Sequence, residues 1–424
     1  MDNQDTAIDE LEATRQHSEP APAARQGHLG VSAVERRGME MLLAMLGHPP
    51  FQVEFWDGTR VPATLPGSIG TVQVHDRPAL FGLLTQPELR FGEAYRRGSL
   101  TVEGDLTEIL VAVNKGLRRS KPVRLKARAL RHLPRTRNSL KRARDNIHHH
   151  YDLGNDFYEL WLDRQLVYTC AYFAEPEMSL EDAQIAKLDH VARKLWLRPG
   201  ERVIEAGCGW GALALHMARE YGVSVRAYNI STEQLSYARE RAEREGLADR
   251  VQFIEGDYRE IEGDCDAFVS VGMLEHVGPD HYQDLGDVIR QSVHDDGRAL
   301  IHSIGRDWAR PMNPWIDRHI FPGANPPSLR QMTDIFEHSE LSVLDVENLR
   351  LHYARTLEHW LERFADNVER VRDMFDEEFV RIWNLYLAGS IAAFRSGDLQ
   401  LFQVVAAPTG SGDIPWHRGY LYGR

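Results

Sequence analysis

Cysteine is scarce in this chain: Cys170, Cys208 and Cys265 are the only three in 424 residues. Three is too few and too odd a number for a disulfide framework, so a reducing, cytoplasmic setting is expected. Long apolar runs are missing as well. No window holds the roughly 20 uncharged apolar residues that a membrane-spanning helix needs, so a membrane is expected only as a surface to work on. The opening stretch MDNQDTAIDELEATRQ is acidic and polar, the opposite of a secretory signal. Positive charge is in deficit too, with 50 Lys and Arg against 63 Asp and Glu, a net −13. The deficit is uneven. Between Lys115 and Asp145 stand thirteen basic residues and one acid, a local charge of +12 that leaves about −25 elsewhere. A concentrated basic block on an acidic protein fits an anionic partner surface, either lipid headgroups or nucleic acid. The block carries no aromatic residue on which bases would stack, which disfavours nucleic acid.

At this length two or more domains are expected. Residues 1–35 are rich in Ala, Gln, Glu and Pro and read as a disordered tail. Residues 36–114 read as a small α+β domain. AVERRGMEMLLAMLG has an amphipathic helical pattern, and Phe51, Val53 and Phe55 alternate with polar neighbours before the Asp57-Gly58 turn. GTVQVHD continues in the same style, so antiparallel β structure is expected throughout. Residues 115–147 form a basic linker or arm, interrupted by Pro122 and Pro134. Residues 148–424 form the largest unit. From Pro199 onward short apolar runs (ERVIEAG, VSVRAYNIS, VQFIEGD, CDAFVSVG, GRALIHSIG) alternate with helical stretches. That alternation predicts an α/β fold with a mostly parallel sheet wrapped on both faces and a ligand at the C-terminal strand ends. LQLFQVV reads as an antiparallel closing strand.

The stretch VIEAGCGWG runs from a buried strand into a glycine-dense turn. Such a turn lets a ligand approach backbone amides at a helix start. The glycines alone also fit a dinucleotide site or a plain packing turn. A dinucleotide site usually carries an acid at the end of the next strand for the ribose, and that end here reads AYNIS. The acid is Glu205, two residues before Gly207, and EGDYRE follows the third strand. This is the arrangement of S-adenosylmethionine (SAM) methyltransferases, with Asp257 and Tyr258 at the adenine.

The strings HYDLGNDFYELWLD, YTCAYF, AQIAKLDHV, GCGWG, ISTEQLSYARER, GMLEHVGPDHY, IHSIG, WIDRHIFPGANPPSLRQM and HYARTLEHW run in order from residue 150 to about 360. In this the chain resembles the cyclopropane-fatty-acyl-phospholipid synthase family, which includes the mycolic acid cyclopropane synthases. FGEAYRRGSLTVEGDL is also similar to the N-terminal lipid-binding domain of its longer members. The resemblance implies a Rossmann-like SAM methyltransferase with a seven-stranded sheet. It implies cofactor contacts at Tyr168, Thr169, Glu205, Gly207, Cys208, Gly209, Gly211, Asn229, Gln234, Asp257 and Tyr258. It further implies a catalytic cluster of Cys170, Glu275, His302, Tyr353 and the backbone at Ile304 that holds a bicarbonate ion. The implied partner is a phospholipid bilayer with anionic headgroups, met from the cytoplasmic side, and a homodimer is compatible with it.

Ring formation on an alkene makes chemical demands that such a cluster can meet. Methyl transfer from a sulfonium to a cis alkene leaves a carbocation, and loss of a proton from the new methyl closes the ring. A base must sit close by while water is kept out. Tyr168, Tyr172 and Phe173 are candidates to shield the cation through their ring faces, worth up to ~2 kcal/mol each when desolvated. Taken singly, Cys170 reads as a small core residue, His302 as a core histidine and Tyr353 as packing. His148 to His150 lack further ligands at metal-binding spacing, and no metal is expected. Three positions depart from the family pattern: Glu205 stands where Asp is frequent, Ser390 where Cys is frequent, and Asn229 where Thr is frequent. Alternatives remain: a methyltransferase giving methyl-branched or methylene chains, or a non-catalytic lipid-binding protein.

Overall fold

The structure, a computed structural model, describes residues 30–64, 67–119 and 153–422. The proposed tail up to residue 29, the basic arm beyond Arg119 and His148 to His150 lie outside the described residues.

The N-terminal unit begins with α1 (Ala33–Met45), closed at its start by a capping box between Ser32 and Glu35. Strands β1 (Gln52–Phe55), β2 (Arg60–Val61) and β3 (Gly70–Val74) follow, then α2 (Arg77–Thr85), α3 (Pro87–Arg97), β4 (Leu100–Gly104) and α4 (Leu106–Arg119). The sheet order is β2-β1-β3-β4. The Asp57-Gly58 hairpin pairs β1 and β2 antiparallel, but β3 joins β1 in parallel. Alternation told which face of β3 is buried, and said nothing of its direction. Helix α4 runs through the 114/115 boundary read from the charge pattern.

The larger unit contains α5 (Asn155–Glu159), α6 (Leu180–Lys194), β5 (Arg202–Ala206), α7 (Ala212–Tyr221), β6 (Ser224–Asn229), α8 (Thr232–Arg244), β7 (Val251–Glu255) and β8 (Cys265–Val271). It continues with α9 (Leu274–Val277), α10 (Tyr282–Ser292), β9 (Val293–Gly305), α11 (Pro314–His319), α12 (Leu329–Glu337) and β10 (Leu341–Asn348). Last come α13 (Arg350–Asp366), α14 (Val368–Met374), α15 (Glu377–Ser396) and β11 (Gln400–Pro408). The seven strands are ordered β10-β11-β9-β8-β5-β6-β7. Neighbours from β7 to β9 pair in parallel, and β11 is antiparallel to both β9 and β10. This is the Rossmann-like, mostly parallel seven-stranded sheet that the resemblance implied.

Strands β5, β8 and β11 are buried along almost their whole length because helices cover both faces. Leu188, Val191, Leu213 and Leu235 build one core layer, and Leu285, Ile289, Met332 and Phe336 the other. The chain turns opposite ways from β5, to β6 on one side and β8 on the other. The C-terminal ends of β5 and β8 therefore flank a crevice. A third core roofs that crevice. It is aromatic, joining Trp161, Tyr168 and Trp360 at centroid spacings of 5.2–5.5 Å, with Trp383 beside them.

The two units pack closely. Asn384 donates to the Tyr95 hydroxyl at 2.8 Å, and Glu93 accepts from His319 at 2.8 Å. Arg118, the fourth residue of the basic run, is engaged by Asp307 at 2.6 Å and so belongs to this contact.

Candidate functional site

One cavity of about 420 Å³ opens at the C-terminal ends of β5 and β8 and extends to the N-terminal unit. Its first end is the glycine turn. Gly207 has φ +85° and Gly209 φ +53°, which glycine adopts without strain. The Gly207 and Cys208 amides donate to the Tyr228 carbonyl at 2.8 and 3.1 Å, so they tie the turn to β6. Gly211 stands apart from the cavity wall. It begins α7 with φ +82°, and a Cβ there would lie 2.6 Å from Phe253 Cζ. Its glycine serves close packing. Gly209 is the open position, since an added Cβ would meet nothing within 4 Å.

Asn229, at the end of β6, and Gln234, on the first turn of α8, line the same end and bond to each other at 2.8 Å. Asn229 also donates to the Gly209 carbonyl at 3.3 Å. Asp257 and Tyr258 follow β7. The Asp257 carboxylate takes the Arg259 guanidinium at 2.8 Å, and Arg259 lies over the Tyr258 ring at 5.0 Å. The Tyr258 hydroxyl is buried with no hydrogen-bond partner among the described residues.

Beneath the turn lie a buried acid, Glu205, and a buried lysine, Lys187, which sequence reasoning missed. Glu205 is buried, and its Oε2 has no hydrogen-bond partner among the described residues. Burial pushes its carboxyl upward, and the charge of Lys187 pulls it back. Lys187 is itself buried, which pushes its ammonium downward, while Asp163, Cys170 and Glu205 raise it. It donates to Thr169 Oγ1 at 3.1 Å. One turn earlier, Gln184 donates to the Thr169 carbonyl at 2.9 Å. The signal was available, because Leu180, Ala183, Gln184, Lys187, Leu188 and Val191 form one buried stripe at helical spacing. A lysine inside such a stripe is there for a reason other than solubility.

At the centre of the cavity stand Glu275, the Ile304 backbone and Tyr353. The Ile304 amide donates to Glu275 Oε1 at 2.6 Å. Glu275 Oε2 is buried and has no hydrogen-bond partner among the described residues. Desolvation pushes this carboxyl up to about 7. His302, two residues before Ile304, is buried outside the cavity wall. Gln403 Nε2 donates to its Nδ1 at 3.0 Å, which leaves the proton of the neutral ring on Nε2. That Nε2 has no partner among the described residues. Desolvation first, then the charges of Lys187 and Lys194, hold His302 well below the usual imidazole range. A donor and an acceptor, both buried and both unanswered, fit a small oxyanion that offers an acceptor and a proton.

Cys170 is fully buried, and desolvation raises its thiol far above the usual range. Burial favours its neutral thiol over the thiolate, and it lies outside the cavity wall. Of the three aromatics expected to shield a cation, Tyr168 lines the cavity, with its hydroxyl 2.9 Å from that of Tyr386. Tyr172 is instead stacked between His190 and His352, at 4.2 and 4.8 Å, and Phe173 lies on His359 at 5.6 Å.

Comparison with known proteins agrees with this arrangement. The family model for mycolic acid cyclopropane synthetase matches residues 138–404, and a family described as a domain of unknown function matches residues 39–119. A Pseudomonas putida protein named a probable fatty acid methyltransferase is 37% identical over 88% of this chain and 97% of its own. The cyclopropane-fatty-acyl-phospholipid synthase of Escherichia coli K12 is 42% identical over 60% of this chain and 66% of its own. The cyclopropane synthase MmaA2 of Mycobacterium tuberculosis superposes with a TM-score of 0.60 at 29% identity, over 62% of this chain and 98% of that one. CmaA1, solved with S-adenosylhomocysteine, gives 0.59 at 29% identity, over 62% of this chain and 97% of that one. The chain therefore belongs to the mycolic acid cyclopropane synthetase family and is a SAM-dependent methyltransferase.

Proposed function

We propose that the protein is a cyclopropane-fatty-acyl-phospholipid synthase, which adds a methylene from SAM across the cis double bond of a phospholipid acyl chain. The observation that carries this reading is the pair of unanswered buried atoms, Glu275 Oε2 and His302 Nε2, beside an apolar cavity that also reaches the SAM turn.

In this reading SAM supplies an electrophilic methyl at the glycine turn, where Asn229, Gln234, Asp257 and Tyr258 surround the adenosine. Glu275, His302, Tyr353 and the backbone at Ile304 would hold a bicarbonate, which would supply the base for the proton lost on ring closure. The chain's own residues do the rest. Tyr168 and the aromatic roof exclude water and face the developing positive charge. His302 offers its Nε2 proton as a donor, and Glu275 accepts through Oε2. The N-terminal domain and the basic arm bring the enzyme to anionic headgroups, each basic residue near the surface adding on the order of 1 kcal/mol. No helix among the described residues is long and apolar enough to cross a membrane, which accords with work at the surface.

A second reading is methyl transfer without ring closure. It is favoured by the likeness, across both domains, to proteins named as fatty acid methyltransferases. The test is incubation of the full chain with labelled SAM and vesicles of cis-unsaturated phosphatidylglycerol. A mass gain of one CH2 with ring protons by NMR supports the synthase. A gain of one CH2 with a C=CH2 signal from a branched open chain, and no ring protons, supports the second reading, and no label in lipid defeats both.

A further inference from the structure

Across one face of the large sheet runs a row that is polar where its neighbours are apolar. Glu347 of β10 stands opposite Gln403 of β11, and Gln403 stands opposite His302 of β9. Directly opposed side chains share a face, with Cβ atoms about 4.5–5.5 Å apart. On either side of this row the same face holds Leu300 opposite Val405 and Ile304 opposite Leu401. Helix α6 covers the face, and its buried Lys187, His190 and Lys194 recur at helical spacing. Lysines so deeply buried call for a partner. For Lys194 the partner is Glu347, whose Oε2 takes both Lys194 Nζ and His190 Nε2 at 2.7 Å. Burial raises this carboxyl, yet the His190 hydrogen bond and the Lys194 charge bring it down to about 2, so it is ionised. Tyr172, which does not line the cavity, holds the His190 ring from one side in a stack at 4.2 Å.

Gln403 lies between this cluster and the His302 ring. Its Nε2 donates to His302 Nδ1 at 3.0 Å, and its Oε1 is buried with no hydrogen-bond partner among the described residues. The bond to His302 does not by itself fix the amide this way round. A turned amide would accept from a ring protonated on Nδ1 just as well. His302 Nε2 would then have no proton to offer. The charges beyond Gln403 break the tie. A lone carboxylate on the β10 side draws the amide nitrogen, whereas an ammonium set on that carboxylate favours the amide oxygen. We propose that Lys194 and His190, gathered on Glu347, are positioning residues for His302: they hold Gln403 with its nitrogen inward and so keep the ring proton on Nε2. None of the three lines the cavity, so they act from the sheet edge through Gln403.

This inference rests on the reading of His302 as a donor in acyl-chain alkylation, but one of its readouts needs no substrate. With isotope-labelled histidine, the ring nitrogens of His302 report its tautomer by NMR, their signals identified by loss in His302→Gln. Labelled SAM with vesicles of cis-unsaturated phosphatidylglycerol reports turnover. In Lys194→Met, Glu347 keeps its charge and draws the amide nitrogen. The His302 proton is then expected on Nδ1, with kcat about tenfold lower and the SAM KM within about twofold of the parent. Adding Glu347→Gln removes that pull, and the proton is expected back on Nε2 with kcat within about threefold of the parent. Lys194→Gln, which leaves a donor for Glu347 but no charge, is expected to show the same shift to Nδ1 and serves if the methionine variant does not fold. A folded Lys194→Met or Lys194→Gln protein with the proton still on Nε2 overturns the proposal and leaves the cluster as a brace between α6 and β10. A parent protein that labels no acyl chain overturns the fatty-acyl reading instead, and the tautomer still decides this one.

Discussion

Glu275 and Ile304 are joined by a 2.6 Å hydrogen bond from the Ile304 amide to Oε1, and this bond decides which oxygen is left for chemistry. Oε1 is committed to β9, and Oε2 stays in the buried space with no partner among the described residues. Desolvation raises the carboxyl from 4.5 to about 7. An acid whose folded pKa lies above its unfolded one binds more protons when folded. Its stabilising contribution is full below about 4.5 and is lost as pH rises through about 7. Glu275→Gln should remove that dependence, a difference on the order of 3 kcal/mol between the ends of the window. Denaturant unfolding of both proteins from pH 4 to 8 reads it. Activity should move the other way. The ionised form is the acceptor, so kcat/KM of the parent should climb through about pH 7, while Glu275→Gln should be ~100-fold slower above pH 7, with the gap closing as pH falls and the parent's carboxyl takes up its proton.

His302 depends on Gln403 for its tautomer. The Gln403 amide donates to Nδ1, which keeps the ring proton on Nε2. Gln403→Met keeps the volume and removes that donor. The ring is then free to carry its proton on Nδ1, facing the wrong way. Turnover is expected to fall about tenfold, the worth of one hydrogen bond of roughly 1.4 kcal/mol. SAM affinity should be unaffected, because Gln403 lies on β11, away from the glycine turn. Isothermal titration with S-adenosylhomocysteine and steady-state kinetics separate the two effects, and a loss in affinity alone would contradict this assignment.

The glycines of the turn divide by function. At Gly209 a Cβ meets no atom within 4 Å, so Gly209→Ala carries only the cost of a left-handed backbone, about 1–2 kcal/mol. At Gly211 the same methyl would press on Phe253 at 2.6 Å and on Ala238 at 3.0 Å in addition. Gly209→Ala should therefore remain folded but raise the KM for SAM, since the methyl enters the cavity. Gly211→Ala should melt lower than Gly209→Ala in a thermal scan without ligand.

Much of this was legible in the residues, and the reasons are uneven. The alternation of apolar runs with helical stretches foretold the parallel sheet, because strands buried on both faces must be continuously apolar. Gly207 and Glu205 foretold the crevice. Direction was harder to read: the parallel pairing of β3 with β1 depends on a connection, and alternation carries no sign of it. Strand β10 was passed over, since LSVLDVEN is half exposed at the sheet edge and offers little apolar signal. Tyr172 and Phe173 were read from chemistry alone, and their facing away from the cavity is a property of packing around His190, His352 and His359. The burial of Lys187 shows only when one asks what surrounds it.

Lys187 carries the last prediction. It donates to Thr169 and feels the charges of Asp163 and Glu205. Removing the ammonium alone, as in Lys187→Met, leaves Glu205 buried without that compensating charge. Above about pH 8, where Glu205 is ionised, breaking such a pair typically costs about 3–5 kcal/mol, and removing both charges costs much less. At pH 9, Lys187→Met should thus lower the melting temperature more than the double variant Lys187→Met with Glu205→Gln, and the difference should shrink at pH 6. Burial already pushes Glu205 upward, and loss of the lysine pushes it further in the same direction. The midpoint of any pH dependence in SAM binding should therefore move to higher pH in Lys187→Met and vanish in the double variant. Titrating S-adenosylhomocysteine affinity between pH 6 and 9 in all three proteins checks this. A midpoint that stays put in Lys187→Met, with stabilities that simply add, would show that Lys187 and Glu205 do not act as a pair.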